Sequence, residues 1–193
     1  MLQPFDLATI APTPWKNGGG STREVACWPT GASMQHFVWR ISVAQIAQSG
    51  PFSSFEGVDR TIALLQGDGV QLNAPEHGLA HTLDQRWQPW PFAGDVALHC
   101  TLLGGPSQDL NVMVRRGCAT VNWQTWPAST QALPAADAGM LLVVQGAWRH
   151  AGRRYTSGQG VWWDAPAPSG AIWQAESEDA VALCIAIALQ EGV

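Results

Sequence analysis

The chain has 193 residues, 46% of them hydrophobic and only 13% charged, enough apolar mass for one sizeable core or two small ones. A formal charge of −5 leaves no basic field to hold a phosphate backbone, which argues against nucleic-acid binding. The amino terminus lacks a basic stretch followed by a continuous apolar run, and the longest apolar run, Ala180 to Leu189, is about half of the roughly 20 residues a membrane-spanning helix needs, so a cytoplasmic protein with no membrane partner is expected.

In chain order, the first marked segment is PWKNGGGSTRE, Pro14 to Glu24. Its three glycines indicate a place where the backbone comes close to a second segment or to a small ligand. It is not a nucleotide loop, because Lys16 precedes the glycines where a phosphate-binding loop needs its lysine after them. FVWRISVAQI reads as a strand with Arg40 at its middle, and an Arg there must reach solvent or find an anion. GPFSSFEGVDRT, Gly50 to Thr61, follows as a loop with Phe52 and Phe55 available to staple it to a core.

RTIALLQGDGVQL reads as strand, turn and strand. His77 and His81 stand four apart in PEHGLAHTL. Gly78 lies between them, LAHTL alternates like a strand, and no acidic third ligand stands at a recognisable spacing, so no metal site is expected there. DVALHCTLLGG and LNVMVRR are the next strands. In SQDLNVMVRR, Asp109 and Asn111 share one face opposite Leu110 and Val112, a pair that either lines a pocket or faces water. ATVNWQTW, GMLLVVQGAWRH, GVWWDAP and AVALCIAIAL complete a mainly β pattern, with turn signals spaced as in a sandwich or barrel.

Four scattered cysteines without a C-x-x-C pair read as buried free thiols. Eleven tryptophans exceed what a core readily holds, so some are expected to line a cavity or an interface. RTIALLQG with the strands after it is echoed by GMLLVVQG with its own, each passing through a Gln-Gly turn, and this suggests a duplicated β unit. The Ala- and Pro-rich stretch from Thr125 to Gly139 is the expected connection. It gives units 1–125 and 126–193, packed as one globular body.

WKNGGGSTRE, then WRISVA with GPFSSFEGVDRT, then QDLNVM with its following Arg pair together resemble the signatures of the HutD/Ves family, in the same order. Glu56 departs from the pattern, which usually carries Pro at that place and so leaves this loop's backbone freer. The resemblance implies a cupin-type double-stranded β-helix in a two-unit (bicupin) arrangement, an RmlC-like jelly roll. It also implies association with histidine utilisation or stress-related induction, and binding of a small acidic metabolite such as urocanate or formylglutamate in a regulatory role. No enzymatic activity comes with it.

Carried over by motif, the expected ligand-binding set is Trp15, Lys16, Asn17, Gly18, Gly19, Thr22, Arg23, Arg40, Phe52, Ser53, Arg60, Asp109 and Asn111. Arginines and Lys16 would hold a carboxylate, Gly18 and Gly19 would offer main-chain N–H groups, and Trp15 and Phe52 an apolar wall. Arg60 and Asp109 could instead pair and brace the site. The absence of an H-x-H pattern implies a cupin scaffold without metal or other cofactor and with no catalytic residue assigned. Two alternatives stay open: an isomerase or hydrolase using Lys16 or Asp109 for proton transfer, and an interaction module or homodimer whose surface carries Trp162 and Trp163.

Overall fold

The computed structural model describes residues 1–166 and 170–190. Its first strands are β1 (Gln3–Asp6), β2 (Thr13–Pro14), β3 (Gly20–Trp28), β4 (Trp39–Ile46), β5 (Gly50–Phe52), β6 (Val58–Gln66) and β7 (Val70–Ala74). Next come β8 (Leu79–Leu83), β9 (Trp90–Ala93), β10 (Leu98–Leu102), β11 (Ser107–Arg115), β12 (Ala119–Trp126) and β13 (Thr130–Ala132). The rest are β14 (Ala138–Gln145), β15 (Ala147–His150), β16 (Arg153–Thr156), β17 (Gln159–Trp163), β18 (Ile172–Ala175) and β19 (Val181–Leu189). Among the described residues the only helical element is the 3-10 turn Pro75–His77, so the protein is mainly β. No helix among them is long and apolar enough to cross a membrane.

The chain divides into two compact units, Ala11–Arg116 and Met1–Ile10 together with the chain from Gly117 on. The boundary therefore lies before β12 rather than at residue 125. β12 pairs along its whole length with β19, and β1 pairs with β17, so both ends of the second unit are fixed by partners remote in sequence. The supposed connection from Thr125 to Gly139 contributes the end of β12, all of β13 and the start of β14.

Ala11–Arg116 has a six-stranded sheet in the order β2-β3-β4-β11-β6-β9 and a four-stranded sheet β5-β10-β7-β8. The other unit has β1-β17-β14-β19-β12 and β13-β18-β15-β16. Adding eight to each label of β4-β11-β6-β9 and of β5-β10-β7-β8 reproduces the second unit's order, so the same pairing scheme occurs twice. The echoed Gln-Gly pairs fall at equivalent places, the ends of β6 and β14, and Gly67 and Gly146 both have positive φ.

The interiors differ. In the second unit Trp126, Trp148, Trp163 and Trp173 pack into one cluster with Leu141 and Tyr155. Each of these tryptophans would cost about 3–5 kcal/mol if truncated to Ala. Trp163 is wholly buried, so it cannot serve as a partner-surface anchor. In Ala11–Arg116, Ile62 and Leu64 of one sheet meet Leu72, Leu98 and Cys100 of the other in one apolar cluster. Cys27, Phe37, Val58 and Met113 form a second apolar cluster, and beside it the interior is hollow and holds the buried polar residues Arg40, Ser42, Arg60 and Asn111.

Candidate functional site

Period-two alternation and the ladder register decide which side chains enter that hollow. One cross-strand row runs Phe92, Arg60, Met113, Arg40, Cys27 across β9, β6, β11, β4 and β3. The next runs Trp90, Ile62, Asn111, Ser42, Glu24, and the third Leu64, Asp109, Ala44, Thr22. Directly opposed residues share a face. Three strands thus bring Arg40, Arg60, Asp109 and Asn111 to one side of one sheet, although they are scattered over seventy-odd positions of sequence.

A cavity of about 690 Å³ opens over this face. Nine of the expected residues line it: Trp15, Lys16, Asn17, Thr22, Arg40, Phe52, Ser53, Arg60 and Asn111. Four do not. Arg23 falls on the opposite face of β3 from Thr22 and Glu24, by alternation alone. Gly18 and Gly19 spend their N–H groups within the turn, Gly18 donating to the Trp15 carbonyl at 3.0 Å and Gly19 to Asn17 Oδ1 at 3.0 Å. They are not anion donors. Asp109 lies beneath the cavity wall, 1% exposed.

The glycine that needs its lack of a side chain is Gly20, where a Cβ would collide with the Gln45 carbonyl oxygen and press on the Trp15 ring. This close approach sets Trp15 against the cavity, and the indole Nε1–H donates to Thr22 Oγ1 at 2.8 Å. Lys16 is exposed at the tip of the turn.

The two guanidinium groups have different partners. Arg40 Nε donates to Glu24 Oε2 at 2.6 Å and Nη1 to Ser42 Oγ at 3.3 Å, so its charge is balanced. Arg60, 4% exposed, has no acidic partner within salt-bridge distance among the described residues. Its Nη1 donates to the Ser53 carbonyl at 2.9 Å, and its guanidinium carbon lies 4.5, 5.3 and 5.1 Å from the ring centres of Phe52, Phe55 and Phe92. Such aromatic contacts favour a cation but satisfy no N–H. Its Nε is buried and unpartnered. Burial pulls the Arg60 pKa down to about 9, which leaves the group charged at neutral pH.

Arg60 and Asp109 do not brace each other through a hydrogen bond: both carboxylate oxygens of Asp109 are buried without a partner. Burial pushes the Asp109 carboxyl up to about 7, against the pull of Arg60. The Phe52–Gly57 loop is tied down despite Glu56. Phe55 N donates to the Gly94 carbonyl and Gly57 N to Asp95 Oδ1, both at 2.7 Å.

Sequence reasoning missed Glu24, Ser42, Phe55 and Met113. Glu24 is in phase with Thr22 and Ser42 with Arg40, so alternation within the quoted motifs was the available signal. His77 and His81 do not converge: His77 ends the 3-10 turn, while His81 stacks on Trp90 at 4.2 Å between ring centres. Among the described residues no three His, Cys, Asp or Glu side chains assemble in a metal-binding group. The oxygen donors on this face, Glu24, Asp109 and Asn111, stand among two guanidinium groups, one of which already holds Glu24, and this set does not suit a divalent cation.

A HutD family model matches residues 7–183. Protein Ves of Citrobacter koseri is 37% identical over 163 residues, covering 84% of this chain and 83% of that protein. Protein Ves of Cronobacter sakazakii is 33% identical over 175 residues, covering 90% and 93%. Among solved structures, HutD from Pseudomonas fluorescens SBW25, described in a formate condition, matches with a TM-score of 0.83 at 27% identity, covering 98% of this chain and all of that one. A conserved protein of unknown function from Pseudomonas aeruginosa PAO1 gives 0.84 at 26%, covering 97% and 99%. Bacillus subtilis oxalate decarboxylase gives 0.62 at 10% identity over 95% of this chain and 76% of its own, a likeness of cupin fold alone.

Proposed function

The chain belongs to the HutD family, and from that premise we propose that its Ala11–Arg116 unit binds a small carboxylate metabolite, of the urocanate or formylglutamate kind, in a regulatory role in histidine utilisation. One observation carries the reading: Arg60, a buried guanidinium without an acidic partner, on the wall of a cavity. An uncompensated buried charge costs several kcal/mol, and a carboxylate entering the cavity would supply the missing counter-charge in a planar, hydrogen-bonding form. The volume, about 690 Å³, is within the usual range for small-molecule sites, and Trp15 with Phe52 adds an aromatic wall suited to a planar acid.

Proton-transfer catalysis has weaker support. The carboxyl oxygens of Asp109 are closed off below the cavity lining, and Lys16 sits at the exposed rim. The test is thermal melting against formate, urocanate, formylglutamate and matched chloride. Melting temperature should rise with the concentration of at least one acid, as mass action requires. No shift with any acid would sink the reading, and following the same mixtures for loss of the acid separates turnover from binding.

A further inference from the structure

We propose that anion binding by this unit is linked to a proton: when a carboxylate settles beside Arg60, Asp109 takes up one proton, so affinity falls as pH rises. The proposal rests on the carboxylate reading above and adds to it the group that governs Arg60. β11 presents three buried acceptor oxygens on one face with no donor, Asp109 Oδ1 and Oδ2 and Asn111 Oδ1. Asp109 lies between Leu64 and Ala44 in register, and neither side chain can donate. Buried acceptors left this way are costly, and most costly when one of them is ionised.

The charged and titratable groups around Asp109 are few. From β6, Arg60 favours the carboxylate. From β10 of the facing sheet, Cys100 is a thiol pushed up to about 11 by burial and by Asp109, so it holds its proton between pH 6 and 9. Farther along the inner face, Arg40 of β4 is already balanced by Glu24 of β3. Arg60 is therefore the chief force holding Asp109 ionised, and its charge is what the ligand would use.

The two anions compete for one cation. A bound carboxylate satisfies Arg60 and adds a like charge above Asp109, and both effects favour the neutral acid. In the balanced step, protein with an Asp109 carboxylate, the ligand carboxylate and one proton from solvent give a complex with an Asp109 carboxylic acid. The only covalent bond formed is that O–H. The new hydroxyl gives the Asp109 side chain a donor of its own, where both of its oxygens otherwise lack a partner.

The test is titration calorimetry with N-formyl-L-glutamate, whose carboxyls ionise below about pH 5 and stay charged throughout. Measurements run from pH 6 to 8, below the range in which Arg60 itself loses its proton, in two buffers of different ionisation enthalpy. For the unaltered protein the dissociation constant should rise at least about fivefold over that range, with proton uptake visible as a buffer-dependent heat near pH 7. D109N should bind with a pH-independent affinity and no proton uptake. A flat profile or absent proton uptake in the unaltered protein overturns the linkage even if D109N fails to fold, as does a D109N protein that keeps the slope. Absence of any binding at every pH, by this and other carboxylates, overturns the carboxylate reading itself and the linkage with it.

Discussion

Asp109→Asn should stabilise the protein by an amount that grows with pH. The folded-state pKa of Asp109, about 7, stands above the roughly 3.9 of an unfolded Asp. For a group raised in this way the favourable contribution is complete below the unfolded value and is lost as pH rises through the folded one. The near-isosteric amide does not titrate, so the gap between variant and parent should widen by about 3 kcal/mol from pH 5 to pH 8, two units at roughly 1.4 kcal/mol each. Urea unfolding followed by hydrogen exchange in β4 and β11 isolates the unit that contains the site. A gap of equal size at both pH values would refute the claim that Asp109 is a buried carboxyl lacking donors.

The glycines separate turn from site. Gly20→Ala should cost about 3 kcal/mol or prevent folding, because the new Cβ meets the Gln45 carbonyl. Gly19→Ala should change the urea midpoint little, since its Cβ meets only the movable Asn17 side chain at 3.3 Å. Glu24→Gln removes the carboxylate that occupies Arg40 at 2.6 Å, and should raise carboxylate affinity roughly threefold to tenfold, with a steeper salt dependence in calorimetry.

Legibility in the sequence followed the locality of the signal. ATVNWQTW shows its strand with the bounds observed for β12, because alternating apolar residues report a local conformation. The same octapeptide says nothing of its partner β19 some sixty residues on, and so the unit boundary was misplaced. β3 carries no apolar strand pattern at its start, because GSTREVACW opens with glycine and polar residues, of which Thr22 and Glu24 face the cavity rather than a core. β9 was hidden by Pro91, tolerated because that strand is at the sheet edge.

In the site, the polar residues interrupting apolar alternation, Arg40 and the Asp109/Asn111 pair, stood out in the sequence, but alternation alone left open whether they line a pocket or face water. Arg23 was swept in with its motif although its phase places it on the other face. The isolation of Asp109 was not legible, because nothing local says that Arg60 will be turned to the Ser53 carbonyl and three phenylalanines instead of to a carboxylate.

Titration calorimetry of the parent and of Arg60→Gln with urocanate, formylglutamate and formate at pH 6 tests the central claim most directly. At least one of these acids should bind saturably to the parent, with affinity falling roughly tenfold or more in the variant while circular dichroism shows the fold retained. Equal affinity in parent and folded variant would contradict the claim.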